Sequence, residues 1–169
     1  MSDPGVLRTE LRDYAGHRIT FDQLGKRARR TLAERTSRRC MEILNEGAVN
    51  IRNLIIQGMR DSPPTGKLYF RRRNKKGKAI YHRASSPGNY PRVDTGALVR
   101  SIGIDARPWE VEVGSRITQP AYPLWLEKGT DKMEPRPWMA PSFKREEPKL
   151  KRRIEMVLRR SANDFLRGD

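Results

Sequence analysis

The sequence predicts an α+β fold: a long N-terminal amphipathic helix and a C-terminal helix packed on a small antiparallel sheet, with a long basic hairpin arm. Three observations lead there. Apolar residues recur at spacings of three and four from Leu24 to Met59 and again from Leu150 to Phe165, the period of a helix with one buried stripe. Trp109 to Gly114 alternates with period two, as a half-buried strand does. Between the first helix and that strand lie a proline pair and a basic stretch with turn residues, which neither period fits.

The chain has 169 residues, which suits a single domain spanning 1–169, with 62–93 as an arm inserted between the first helix and the sheet. A body of this size buries about 70% of the surface its unfolded chain exposes. Only 36% of residues are hydrophobic and 33% are charged, so part of the chain belongs outside the core. The 36 Lys and Arg against 20 Asp and Glu leave a formal charge of +16, which attracts polyanions and opposes association of bare surfaces. Cys40 is the only cysteine, so an intrachain disulfide and a cysteine-based metal site are excluded. That suits a reducing cytoplasm, and Cys40 falls on an apolar stripe where a free thiol packs as a small hydrophobe. No run reaches the roughly 20 apolar residues of a membrane span, and no secretory signal opens the chain, so no membrane partner is expected.

Residues 1 to 21 carry Pro4, Gly5 and Gly16, with Arg18-Ile19-Thr20-Phe21 as an edge strand or hydrophobic staple. Asp22 is placed to cap the long helix, whose stripe is Ala28, Leu32, Cys40, Leu44, Ala48, Ile51, Ile55 and Met59. A continuous helix from 22 to 60 is roughly 58 Å long, so it either breaks near Gly25 or Gly47, the favoured expectation, or projects beyond the body. Lys26, Arg27, Arg29, Arg30, Arg35, Arg38, Arg39 and Arg52 read as its solvated face.

Pro63-Pro64 ends that helix. From Ser62 to Val93 no acidic residue occurs, while Lys67, Arg71, Arg72, Arg73, Lys75, Lys76, Lys78, Arg83 and Arg92 alternate with Tyr69, Phe70, Tyr81 and Tyr90. Leu68 to Arg71 and Ala79 to His82 are β-prone and flank Asn74-Lys75-Lys76-Gly77-Lys78, which predicts a hairpin followed by a loop from Ala84 to Pro91. Lys67, Arg71, Arg72, Arg73, Lys75, Lys76, Lys78 and Arg83 are therefore the candidate contacts to DNA or a protein partner. Nine phosphates met by such a finger would give a log–log salt slope of about −8.

Asp94 or Thr95 caps a short helix holding Ala97, Leu98 and Val99, and Ser101 to Ile104 continues as a strand. Arg107-Pro108 turns the chain into the second strand, with Trp109, Val111 and Val113 on one face and Glu110 and Glu112 on the other. Pro120 to Leu126 predicts a short helix with Pro123 in its first turn, closely packed through Tyr122, Leu124, Trp125 and Leu126. Gly129 is its left-handed cap. Arg136-Pro137-Trp138-Met139 is an extended piece able to return to the sheet. The last helix runs from about Ser142 to Leu166 with Leu150, Ile154, Val157, Ser161 and Phe165 as its stripe and Pro148 starting or kinking it.

Catalysis requires a nucleophile beside a base, paired carboxylates or a metal cluster. The sequence has no such pattern: His17 and His82 read as loop residues, the acids are scattered, and no phosphate-loop, dinucleotide or zinc motif occurs. The expectation is a non-enzyme with no cofactor and no metal.

Four motifs remain, in the order Thr95-Gly96-x-Leu98-x-x-Ser101-Ile102, Val111-x-Val113-Gly114, Tyr122-x-x-x-x-Glu127-x-Gly129-Thr130, and Arg136-Pro137-Trp138-Met139-x-Pro141, followed by the terminal amphipathic helix. This order and spacing resembles the gene-product-ten-like morphogenesis proteins of long-tailed phages, which are neck, head–tail joining or tail-completion proteins. The resemblance covers about residues 94 to 166. This chain departs from it at Trp138, where phenylalanine is usual, at Ser142, where alanine is common, and at Pro123 inside the short helix. The resemblance implies a structural virion protein forming a homo-oligomeric ring between the DNA-filled head and the tail, around the DNA channel. Its neighbours would be connector and tail-terminator or tail-tube proteins, and it would pass through the host cytoplasm before assembly. It further implies that Thr95, Gly96 and Ser101 set the turn into the sheet, that Tyr122 and Glu127 orient the central helix, that Gly129-Thr130 stops it, and that Arg136 pairs with Glu127. A non-specific DNA-binding accessory protein is the alternative that the charge alone supports.

Overall fold

The computed structural model describes residues 11–12, 18–19, 21–108 and 110–167, so the readings of Pro4, Gly5, Gly16, His17 and Trp109 lie outside the described residues. A short ladder of β1 (Leu11–Arg12) with β2 (Arg18–Ile19) precedes α1 (Phe21–Asp61), so Arg18 and Ile19 do lie in a strand. α1 starts one residue before Asp22, which therefore sits inside its first turn rather than capping it. The anticipated break is absent: α1 is continuous through Gly25 and Gly47 over 41 residues. Gly47 has a different task, since a Cβ there would lie 2.2 Å from a methyl of Leu150, and the missing side chain admits the last helix.

After α1 come β3 (Leu68–Arg73) and β4 (Ala79–Arg83), then α2 (Ala97–Ser101), β5 (Ile102–Arg107), β6 (Glu110–Ser115), α3 (Tyr122–Lys128) and α4 (Ala140–Arg167). The class is α+β as expected, and each sheet among the described residues is a two-stranded antiparallel ladder. Arg136 to Met139 does not return to a sheet; it leads directly into α4, which begins two residues earlier than predicted and contains Pro148. β5 and β6 pair from Ile102 with Ser115 to Arg107 with Glu110, and Val111 and Val113 are half-buried while Glu110 and Glu112 are exposed.

Two compact units are formed, one by the residues up to Cys40 with those from Met156 onward, the other by Met41–Glu155. In the first, Thr36 Oγ1 donates to Ser161 Oγ at 2.7 Å, so α1 meets α4 at a residue of the predicted stripe. Arg35 and Arg38 are exposed there as expected; the side chains of Lys26, Arg27, Arg29 and Phe165 lie outside the described residues. Cys40 is half-buried.

The second unit holds the core. Ile51, Ile55 and Met59 of α1 meet Leu98 of α2, Ile102 of β5 and Trp138, with Tyr90, Val113, Tyr122, Leu126 and Leu150 packed around them. Ile43 is also buried, one position from the predicted Leu44. Arg52 departs from the solvated face: its Nε donates to the Ile102 carbonyl at 3.0 Å, which ties α1 to the start of β5. Leu124 and Trp125 differ as well, at 51% and 45% exposed, because α3 turns Tyr122, Pro123 and Leu126 inward instead.

A polar tie fastens α1 to α4 in the same unit. Asn50 Nδ2 donates to Glu146 Oε1 at 2.9 Å, and Lys149 Nζ to Glu146 Oε2 at 3.0 Å; nearby, Arg153 pairs with Glu46. Burial pushes the Glu146 carboxyl up, but the hydrogen bonds from Asn50 and Lys149 and the charges of Lys149 and Arg153 outweigh it and hold the group below its ordinary value. A carboxyl depressed on folding adds stability above its unfolded pKa of about 4.3 and loses it as pH falls through the folded value. Between the unfolded and the folded value, stability should therefore fall less steeply with decreasing pH in Glu146→Gln than in the parent chain, as measured by chemical denaturation at several pH values. Ile55, fully buried, anchors the core. Ile55→Ala should cost about 2–5 kcal/mol in urea unfolding, whereas Val49→Ala, at a position 46% exposed, should change stability by less than about 0.5 kcal/mol.

Candidate functional site

The basic arm is a two-stranded ribbon. Leu68 pairs with Arg83, Tyr69 with His82 and Phe70 with Tyr81, then Arg72 with Ile80 and Arg73 with Ala79, leaving Arg71 as an extra residue in a bulge. Asn74 closes the turn: its Oδ1 accepts the backbone N–H groups of Lys76 and Lys78 at 3.0 and 2.9 Å, and Gly77 supplies the positive φ of 76°. All six residues of β3 are exposed, as are Lys67, Lys75, Lys76, Lys78 and Arg83.

The bulge separates Arg71 from the other predicted contacts. Its Nε lies 3.2 Å from Asp94 Oδ1, and His82 Nδ1 lies 3.6 Å from the same oxygen. Asp94 thus latches the ribbon to the segment before α2, a role absent from the sequence reading, which made it a helix cap. His82 is likewise on β4 rather than in a loop. The N-cap of α2 is Gly96, at φ 77° in the left-handed region and without a side-chain cap; Thr95 Oγ1 accepts from Ala97 N at 3.3 Å.

The loop after β4 is tied at several points. Gly66 N donates to Ala84 O and Ala84 N to Lys67 O, while Gly88 N donates to Pro135 O at 2.9 Å. Arg136, 7% exposed, donates its Nε to Ser85 O at 2.9 Å. The expected pairing of Arg136 with Glu127 is thereby replaced: the guanidinium is directed to a backbone carbonyl across the core, and Glu127 has other partners. A cavity of about 490 Å³ lies beneath the ribbon base, lined by Met59, His82, Leu98, Tyr122, Leu126 and Arg136 among others. Burial pushes the Tyr122 hydroxyl pKa up.

Glu127 joins α3 to α4. Its Oε2 accepts the backbone N–H groups of Trp138 and Met139 at 2.7 and 2.9 Å, and its Oε1 accepts that of Ala140 at 2.9 Å. Trp138 and Met139 lie just before α4 and Ala140 opens it, so these donors have no helical partners, and a carboxylate there also faces the positive end of the helix dipole. The rest of the motif serves this junction. Trp138 Nε1 donates to Pro123 O at 3.1 Å, and Arg136 N to Leu126 O at 2.7 Å. Gly129 has φ 78° and ψ 179°, a region essentially restricted to glycine but not the left-handed helical cap predicted. Thr130 and Met133 exchange backbone hydrogen bonds to reverse the chain. Pro137 is half-buried and Leu98 buried in the core. Ser101 Oγ donates to Leu98 O within α2 and lies 2.8 Å from Ser115 Oγ, fastening α2 to β6, and Gly114 pairs with Gly103.

Among the described residues no group of three or more His, Cys, Asp or Glu side chains is placed to hold a metal ion, and no helix is long and apolar enough to cross a membrane. Comparison with protein-family models, with curated proteins and with solved structures gives no significant match.

Removing the carboxylate strands the donors it serves. Glu127→Ala should lower stability by about 2–3 kcal/mol in urea unfolding, and Glu127→Gln, which keeps an acceptor but loses the charge, by about half as much.

Proposed function

We propose that this chain is a structural, non-catalytic subunit of the head–tail junction of a long-tailed phage, a neck or tail-completion protein that closes into a ring around the DNA channel. The observation that carries the reading is that the four ordered motifs converge on one construction. Thr95-Gly96 and Ser101 turn the chain into β5, Val113 packs against the core, Glu127 binds the start of α4, and Arg136 reaches the base of the ribbon. Residues used in this way hold a shape, which supports a structural role; a reaction centre would instead gather acid, base and nucleophile around an open position.

The surface supports assembly. Leu124 and Phe143 are 51% and 49% exposed beside a groove of about 640 Å³ that also includes Ile117 and Met139. Apolar surface of this kind suits contact with protein. A ring needs two different surfaces that meet head to tail, and the groove and the ribbon are chemically different surfaces on one subunit. Its neighbours on this reading are the connector and the tail-terminator or tail-tube proteins, and its place is the virion after assembly in the host cytoplasm. The second reading, a non-specific DNA-binding accessory protein, is favoured by the ribbon's excess of cations alone.

Negative-stain microscopy of a lysate from phage lacking this gene tests the choice. Filled heads apart from tails, or tails with abnormal ends, are expected; normal joined particles would reject the junction role and leave the accessory-protein reading.

A further inference from the structure

The ribbon has two unlike faces. Residues directly opposite in an antiparallel pair share a face, and alternate residues change face. Tyr69, His82, Ile80 and Arg72 therefore share the inner side, where His82 and Ile80 are half-buried, Tyr69 is 47% exposed and His82 approaches Asp94. Leu68, Phe70, Tyr81 and Arg83 share the outer side. Leu68 is 52% exposed, Phe70 59% and Tyr81 54%, and the two rings meet edge to face with centroids 5.9 Å apart.

Exposed rings in the middle of a cationic ribbon call for a partner that is both anionic and able to cover an aromatic face. Among the described residues, Arg71 is the ribbon cation within ion-pair distance of an acid, namely Asp94, so Arg72, Arg73, Lys75, Lys76, Lys78 and Arg83 retain their charge for a partner. A second copy's ribbon would bring like charge to like charge on a chain of +16. B-form duplex offers phosphates but hides its base faces in the stack. A single strand offers both, and stacking on aromatic side chains is worth about 1–3 kcal/mol per base.

We propose that the outer face of the β3–β4 ribbon binds single-stranded nucleic acid, with phosphates on the turn lysines and Arg83 and bases on Phe70 and Tyr81. This goes beyond the head–tail reading and does not depend on it, because the contact requires the ribbon and no assembled ring.

The test is fluorescence anisotropy of the purified full-length protein with labelled oligothymidylate and with a duplex of equal length. Oligothymidylate should bind more tightly. Phe70→Ala and Tyr81→Ala should each weaken it about tenfold without altering the far-ultraviolet circular dichroism, since both side chains lie mostly in solvent. The triple change Lys75→Gln, Lys76→Gln and Lys78→Gln should instead reduce the log–log salt slope by about 2. Absence of binding, equal or tighter binding of duplex, or unchanged affinity in both ring variants would each overturn the assignment. Displacement of oligothymidylate by polyglutamate at equal charge concentration would also overturn it and point to an acidic protein surface.

Discussion

The carboxylate of Glu127 is the constraint on which the second unit depends. α3 has seven residues, too few to persist without tertiary support, and α4 opens with donors that need an acceptor. One side chain meets both needs. Because Glu127 holds the N–H groups of Trp138, Met139 and Ala140, the nine residues from Gly129 to Pro137 must leave α3 and return within a short distance. Gly129 makes that reversal possible at a backbone conformation other residues reach only with strain.

The consequence extends to the ribbon. With Trp138 seated in the core and bonded to Pro123 O, Arg136 is directed toward Ser85, and the Ser85 loop carries the base of β3 and β4 through Gly66 and Ala84. Tyr90 adds a second line, from the same loop to Ser142 on the first turn of α4 at 2.9 Å. Trp138 Nε1 and Ser142 Oγ each supply a polar atom to this junction, the first donating to Pro123 O and the second to Trp138 O.

Elements set by local chemistry were legible in the sequence. The stripe of α1, the Asn74 to Lys78 turn, the alternation in β6 and the positive φ at Gly129 each follow from residues close together in the chain. What failed were readings that needed a distant partner. Gly47 resembles a helix breaker until Leu150 is brought beside it, and Asp94 resembles a cap until the bulge delivers Arg71. Arg136 with Glu127 is a natural ion pair on paper, but the backbone donors of α4 occupy the carboxylate first. Arg136 to Met139 reads as an extended piece able to return to the sheet; its backbone is instead used by α3 and by Glu127. Of the predicted ribbon contacts, Arg71 is the one paired with an acid among the described residues, which no spacing in the sequence reveals.

Hydrogen exchange at the amides of Trp138, Met139 and Ala140 tests the central role of Glu127 most directly. In the parent chain these amides should be protected well beyond an exposed loop, and in Glu127→Ala the loss of protection should extend to Arg136, whose amide bonds to Leu126 O, and to Gly88, whose amide bonds to Pro135 O. Loss confined to the amides that Glu127 itself accepts would contradict the account, because the junction would then be a local cap rather than the support of the ribbon.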